Sequence, residues 1–247
     1  MSDKRRDRRG EATRLSLIEA AEELFSSHGV ENVSLRQIGD AIGSDNNGVV
    51  TYYFGSKEGL VRAIYEHRIM ELEERRQEIL RQADAAGLSE DVLTLIYALF
   101  SPIFEQRNRK GRPSYAGFLA SVMHYGSPLP VILYPSPREI AERLCRISGL
   151  SEAAYRERQR LVSAIIIDAI NTADKLKEKG ARTSRVDAIM ADALQMATAA
   201  LCAPVATAET LRELEGKLRP GRSIRRSARK WPTNIPSPDI TDAGARD

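Results

Sequence analysis

An all-α fold is predicted by three features of the 247-residue sequence. Apolar residues recur at steps of three and four, the period of a helix with one buried face. The alternating runs that a half-buried strand would show are scarce. Cap residues and glycine stops punctuate the chain at helical lengths. Hydrophobic residues make up 42% and charged residues 29%, which is enough apolar material for a sizeable core.

The elements follow in order. A first helix is expected over about 12–28, with Leu17, Ile18, Ala21, Leu24 and Phe25 on one stripe and Gly29 as the stop. Ser34 is a natural N-cap for a short helix ending near Ile42, before Gly43. A third short helix lies within Asn46–Tyr53. Ser56 then opens a long helix from about Lys57 to Ala83, with Gly87 beyond it. Ser89 can cap the next helix, which Pro102 ends or kinks. The run RNRKGRP reads as a polar loop, followed by a helix from about Ser114 to Tyr125. Four prolines in GSPLPVILYPSP make that stretch irregular. Ser136, Pro137 and Glu139 form a cap, first-turn proline and capping-box glutamate for a helix to Ser148. Long helices are expected from Ser151 to Lys179 and from Ser184 to Ala203, and a last one over Ala208–Leu218. This divides the chain into a basic flexible arm (1–11), a three-helix unit (12–65), a larger helical domain (66–218) and a disordered basic tail (219–247).

Charge narrows the function classes. The net charge is +3, but residues 217–247 hold eight basic and three acidic side chains, and the first nine hold five and two. The tails are basic and the body is slightly acidic, which suits a polyanion or serves solubility alone. Cys145 and Cys202 have no CxxC partner, and the three histidines lie outside ligand spacing, so neither a disulfide framework nor a metal site is expected. Both cysteines read as small hydrophobes. There is no apolar run of membrane-spanning length and no secretory leader, so a cytoplasmic protein is expected. No glycine loop for a nucleotide, nucleophile elbow or cofactor motif is present. Glu22/Glu23 and Glu73/Glu74 read as solvated helix faces rather than acid–base pairs.

Residues Ser34–Phe54 are the informative stretch. A helix of about eight residues, a glycine-containing turn and a second short helix match a helix-turn-helix, whose second helix fits the major groove of DNA. Val50 and Phe54, four apart, are expected to face a core with Leu35, Ile38 and Ile42. Asn47, Thr51 and Tyr52 then point outward, where they can reach base edges and phosphates. Asn46 either caps the second helix or reads a base, and Asn47 is the better candidate for a bidentate adenine contact. Ser34 and Arg36, at the start of the bracing helix, can hold phosphate, and Lys57 sits at a helix N-terminus that favours an anion. The arm Lys4–Arg9 can cross the backbone or enter the minor groove.

The string from TRLSLIEAAEELFSSHG through VSLRQIGDAIG to TYYFGSKEGLVRAI resembles the N-terminal DNA-binding domain of the TetR family of bacterial transcriptional regulators. The resemblance covers residues 13–64. It rests most on the closing phrase: the aromatic pair Tyr52–Tyr53, then Phe54, then the helix start Ser56, Lys57 and Glu58. It implies phosphate contacts for Tyr53 and Lys57. The turn GSDNNGVV is one residue longer than the commonest family form, and Thr51 stands where an aromatic residue is frequent. That departure leaves the base-contact register open.

The second half carries no motif of its own. The resemblance implies a C-terminal helical domain that dimerises and holds a small hydrophobic ligand. Val162, Ile165, Ile166, Ala169, Ala173 and Leu176 form one stripe, and Val186, Ile189, Met190, Ala193, Ala197 and Leu201 another. Two such helices per subunit can make a four-helix dimer interface, or can pack within one chain. Phe100, Phe104, Tyr115, Phe118, Met123 and Tyr125 are the pocket candidates, with ordinary core as the alternative. The expected protein is a homodimeric regulator, a repressor released by its effector, bound to an approximately palindromic DNA operator. It needs no cofactor and contacts no membrane. A helical or membrane-surface adaptor using the basic tails is the alternative, and an enzyme stands behind that.

Overall fold

The computed structural model describes residues 2–108, 111–125 and 134–218. Among them are ten helices and no strand: α1 (Ser2–His28), α2 (Leu35–Ala41), α3 (Val49–Phe54), α4 (Lys57–Ala85), α5 (Val92–Glu105), α6 (Tyr115–Tyr125), α7 (Pro135–Ser148), α8 (Glu152–Glu178), α9 (Thr183–Cys202) and α10 (Ala208–Leu218). Residues 1–203 form one compact unit, and α10 belongs to a second, 204–247. Taken by itself, α10 exposes Leu211, Leu214 and Leu218. The tail from 219 and most of the proline-rich stretch lie outside the described residues.

The starts and stops are chemically simple. Ser34 closes a full capping box with Gln37, and the hydroxyls of Ser56 and Ser151 accept from the backbone of Gly59 and Ala154. Gly29, Gly43, Gly87 and Gly180 all take positive φ after the helices they follow.

Four boundaries differ from expectation. α1 continues back to Ser2, so residues 2–11 extend the helix instead of forming a separate arm. That extension carries no apolar stripe, and periodicity cannot find it. Its lysine, its four arginines and Glu11 are good helix formers, and Asp3 stands near its start. α5 is capped by Asp91, not Ser89, and runs through Pro102 to Glu105. α7 begins at Pro135 without the Ser136–Glu139 box, because the Ser136 hydroxyl donates to Glu73 on α4 instead.

In the compact unit α1 packs on α2, α4 and α6, while α5 contacts α4, α7, α8 and α9. A single apolar cluster runs from Leu17, Phe25, Ile38 and Val50 through Tyr65 and Phe118 to Ile166 and Leu201. The amino-terminal head and the body therefore share a core. Phe25 of α1 stacks on Phe118 of α6 at 6.3 Å, a contact that contributes about 0.5–1.5 kcal/mol beyond its buried area. Glu22 belongs to this seam: both its oxygens accept from Arg68 at 2.8 Å, and Ser114 also donates to it. It is buried, not a solvated face as expected.

The most extensive helix pair is α8 with α9. It accounts for much of the stripe expected at a dimer interface. Val162, Ile166, Ala173, Val186, Ala193, Ala197 and Leu201 are buried within the single chain. Ile165, Ala169, Leu176, Ile189 and Met190 are half-buried. The apolar side chains that remain outside on these helices include Leu161, 52% exposed, and Met196, 50% exposed.

Candidate nucleic-acid interface

The head places α3 through two short segments with well-defined ends. After α2, the amides of Ile42 and Ser44 donate to Gly39 O, and that of Gly43 donates to Asp40 O. Asn46 then folds the chain into α3: its side-chain oxygen accepts from Gly48 N at 2.9 Å and its carbonyl accepts from Val49 N at 3.1 Å. Asn46 thus shapes the entry to α3, although Gly48 is the formal cap residue.

The six residues of α3 sort by the helical period. Val49 and Val50 are buried, and Phe54 packs half-buried against the same core as Leu35, Ile38 and Ile42. Asn47, Thr51 and Tyr52 are exposed, Tyr52 at 82%. A large aromatic side chain with that exposure has no packing reason to be there. Tyr53 is half-buried, edge-to-face with Tyr52 at 5.1 Å. A Cβ added at Gly10 would sit 3.6 Å from the Tyr53 hydroxyl, so the early part of α1 passes beside α3. Arg14 of α1 lies over the Phe54 ring at 5.5 Å, a cation–π contact that ties the same two helices.

Lys57 is held in place. Its ammonium donates to Val30 O at 2.8 Å from a half-buried position, leaving two N–H bonds for another acceptor. Its neighbour Glu58 is exposed, and its carboxyl is held below the usual range by its own backbone N–H and the Ser56 hydroxyl. One anion therefore already sits at the N-terminus of α4. Ser34 is exposed but engaged in its capping box, and Arg36 is exposed with Asp40 at 3.8 Å. The structure thus gathers Asn47, Thr51 and Tyr52 on the outer side of α3 and its approach, with Tyr53 and Lys57 anchored beside them.

Two contributors were missed in the sequence. Arg14 is one. Gly59 is the other: a Cβ there would lie 2.0 Å from the backbone oxygen of Phe54, so only glycine allows the end of α3 to sit this close to α4. A glycine in a first helical turn was the one visible hint.

Residues 17–64 match the family model described as bacterial regulatory proteins, tetR family. Over these residues the chain carries the N-terminal domain of the TetR family. No curated protein matches it. The TetR-family match covers the second part of α1 through the first turns of α4, the span that holds the exposed face of α3. The protein is accordingly a DNA-binding transcriptional regulator.

The expected pocket residues of the helical body sit mostly in its packed core. Tyr115 and Phe118 stack with each other at 5.9 Å and meet Tyr65 and Phe25 in a packed aromatic cluster. Phe100 is buried, and Phe104 is covered by the Lys177 ammonium at 3.8 Å. Tyr125 donates to Glu58 at 3.3 Å, and Met123 is half-buried. A cleft of about 780 Å³ lies between α1, the end of α2, Asn108, Arg112, Pro113, Ser114 and α8, and none of the six lines it. Among the described residues, no group of three metal-binding side chains occurs and no helix is long and apolar enough to cross a membrane.

Proposed function

We propose that the protein is a homodimeric cytoplasmic repressor that inserts one α3 per subunit into successive major grooves of a near-palindromic operator. It leaves the DNA when a small ligand binds the helical body, residues 66–218. The exposed face of Asn47, Thr51 and Tyr52 on a braced six-residue helix carries the reading. Tyr53, Lys57, Ser34 and Arg36 supply phosphate contacts that fix its register, and Asn47 reads a base. The outer side of α8 and α9, with Leu161 and Met196, is the apolar surface on which a second copy would pack. The aromatic side chains of Phe100, Phe104, Tyr115, Phe118 and Tyr125, with Met123, are the ones that a ligand would have to part.

The supporting geometry for release is α4. Its 29 residues run from the core of the head into the body with no linker, a length of roughly 43 Å. A ligand that favours one body packing therefore shifts the population of head spacings. Fluorescence anisotropy against candidate promoter fragments tests the reading. Asn47→Ala is expected to cost about 1–3 kcal/mol against the preferred site and little against random duplex. Lys57→Ala should weaken both alike and flatten the log–log salt slope by about 0.9. A wild-type protein with no preference over random duplex at moderate salt would overturn it.

A further inference from the structure

Among the described residues, the buried polar side-chain atoms without a partner lie on α4, α5 and α8. They are the hydroxyls of Tyr65, Ser101 and Tyr155, Oε2 of Glu73 and Nη1 of Arg76. Buried polar groups are nearly always paired, so each exception calls for a physical reason. The hydroxyls are minor cases. A charge buried without a counter-ion is the costly one.

Arg76 is 3% exposed. Its Nε donates to Leu99 O at 3.1 Å, and that is its hydrogen bond to the protein. Arg68, two turns earlier on α4, shows how this fold pairs a buried guanidinium: Glu22 meets it with two bonds. Arg76 has no such carboxylate. Glu73 is one turn away, but its Oε1 is committed to α7, accepting from Ser136 N at 3.0 Å and Ser136 Oγ at 2.7 Å. What remains on this face of α4 is an unpaired donor on a cation and an unpaired acceptor on an anion. Leu72, Ile79 and Leu80 flank them on α4, and α5 packs opposite with Leu95 and Leu99.

Resting on the reading that the body takes a small ligand, we propose that this ligand is an apolar chain bearing a carboxylate with a hydroxyl or amide N–H beside it. Arg76 Nη1 donates to the carboxylate. Glu73 Oε2 accepts from the neighbouring donor, which also separates the two anions. The ligand supplies the hydrogen-bonded carboxylate that Glu73, turned to Ser136, does not.

Calorimetric titration of the full chain with β-hydroxydecanoate, decanoate and decan-1-ol tests this directly. The hydroxy acid is expected to bind tightest and the alcohol at least about tenfold more weakly, the worth of one charged hydrogen bond. Arg76→Met should erase that preference. Because it removes an unpaired buried charge, it should leave the unfolding temperature equal or higher. Glu73→Gln should narrow the gap between hydroxy acid and plain acid while keeping the gap to the alcohol. Acids that bind no better than the alcohol would overturn the proposal. So would an Arg76→Met protein that is destabilised yet keeps the preference, since Arg76 would then be a structural clamp on Leu99. The wild-type series decides even where a variant fails to fold. Operator binding of the unliganded chain is measured in parallel: intact operator preference without carboxylate preference removes the ligand class alone, and the reverse result removes the regulator reading alone.

Discussion

Gly59 and Gly117 show how much of the head's placement depends on a missing Cβ. A methyl at Gly59 would meet the Phe54 carbonyl oxygen at 2.0 Å, which is backbone and cannot swing away. A methyl at Gly117 would meet Ser26 Oγ at 2.1 Å, a rotatable group, although Ser26 Cβ and O stand close behind at 3.1 and 3.3 Å. The two positions should therefore fail differently. Gly59→Ala pushes α3 off α4 and is expected to lower operator affinity by more than about tenfold while costing about 1–3 kcal/mol of global stability. Gly117→Ala loosens α1 against α6 and should cost stability in the same range, with operator affinity preserved once the protein is folded. Urea unfolding and anisotropy separate the two effects. A Gly59→Ala protein with wild-type affinity would show that the close approach of α3 to α4 is not what sets the docking face.

At the scale of elements, the sequence could be read wherever the cause was local. The α2–α3 pair was visible because Ser34 is a natural N-cap and because Val50 and Phe54 repeat at one turn. The outward set Asn47, Thr51 and Tyr52 follows from the same period. Features decided by distant residues were hidden. Ser136 has every local mark of a cap, yet Glu73 takes its hydroxyl from 63 residues away. Lys57 reads as a free cation until Val30 O is placed beside it. The stripes on α8 and α9 announce that each helix has a partner but not whether the partner is in the same chain. Glu22 looked solvated because its neighbour Glu23 is polar as well, while its ion partner lies 46 residues on. That pair joins α1 to α4 and is fully buried, so removing one member should be severe. Glu22→Ala is expected to cost about 3–5 kcal/mol, and adding Arg68→Met should recover part of the loss. Chemical denaturation of the single and double variants checks this. An additive double variant would mean the two groups do not act as a pair.

For the whole molecule, the connection after α5 joins three layers. Arg107 donates to Phe104 O and lies 3.3 Å from Asp174 of α8. Asn108 and Arg112 donate to Glu23 of α1, each at 2.7 Å, and Ser114 donates to Glu22. Asp174 is thus where α8 meets a segment that also grips the head. It is 4% exposed, and burial pushes its carboxyl up to about 6, with Arg107 and Lys177 pulling the other way and Glu178 adding to the rise. The sign follows from linkage. A carboxyl whose folded value lies above its unfolded value of 3.8 favours the folded state while protonated, and that contribution is lost as pH rises through about 6. Asp174→Asn keeps the shape and never ionises. Its stability relative to wild type should therefore improve by on the order of 2–3 kcal/mol between pH 4 and pH 7, read from urea unfolding at the two values. Comparing the two proteins at each pH cancels the other carboxylates, whose own titration destabilises both on the acid side. If the difference instead falls as pH rises, the Arg107 pairing outweighs burial, and the joint between α8 and the head is held by charge rather than by a neutral hydrogen bond.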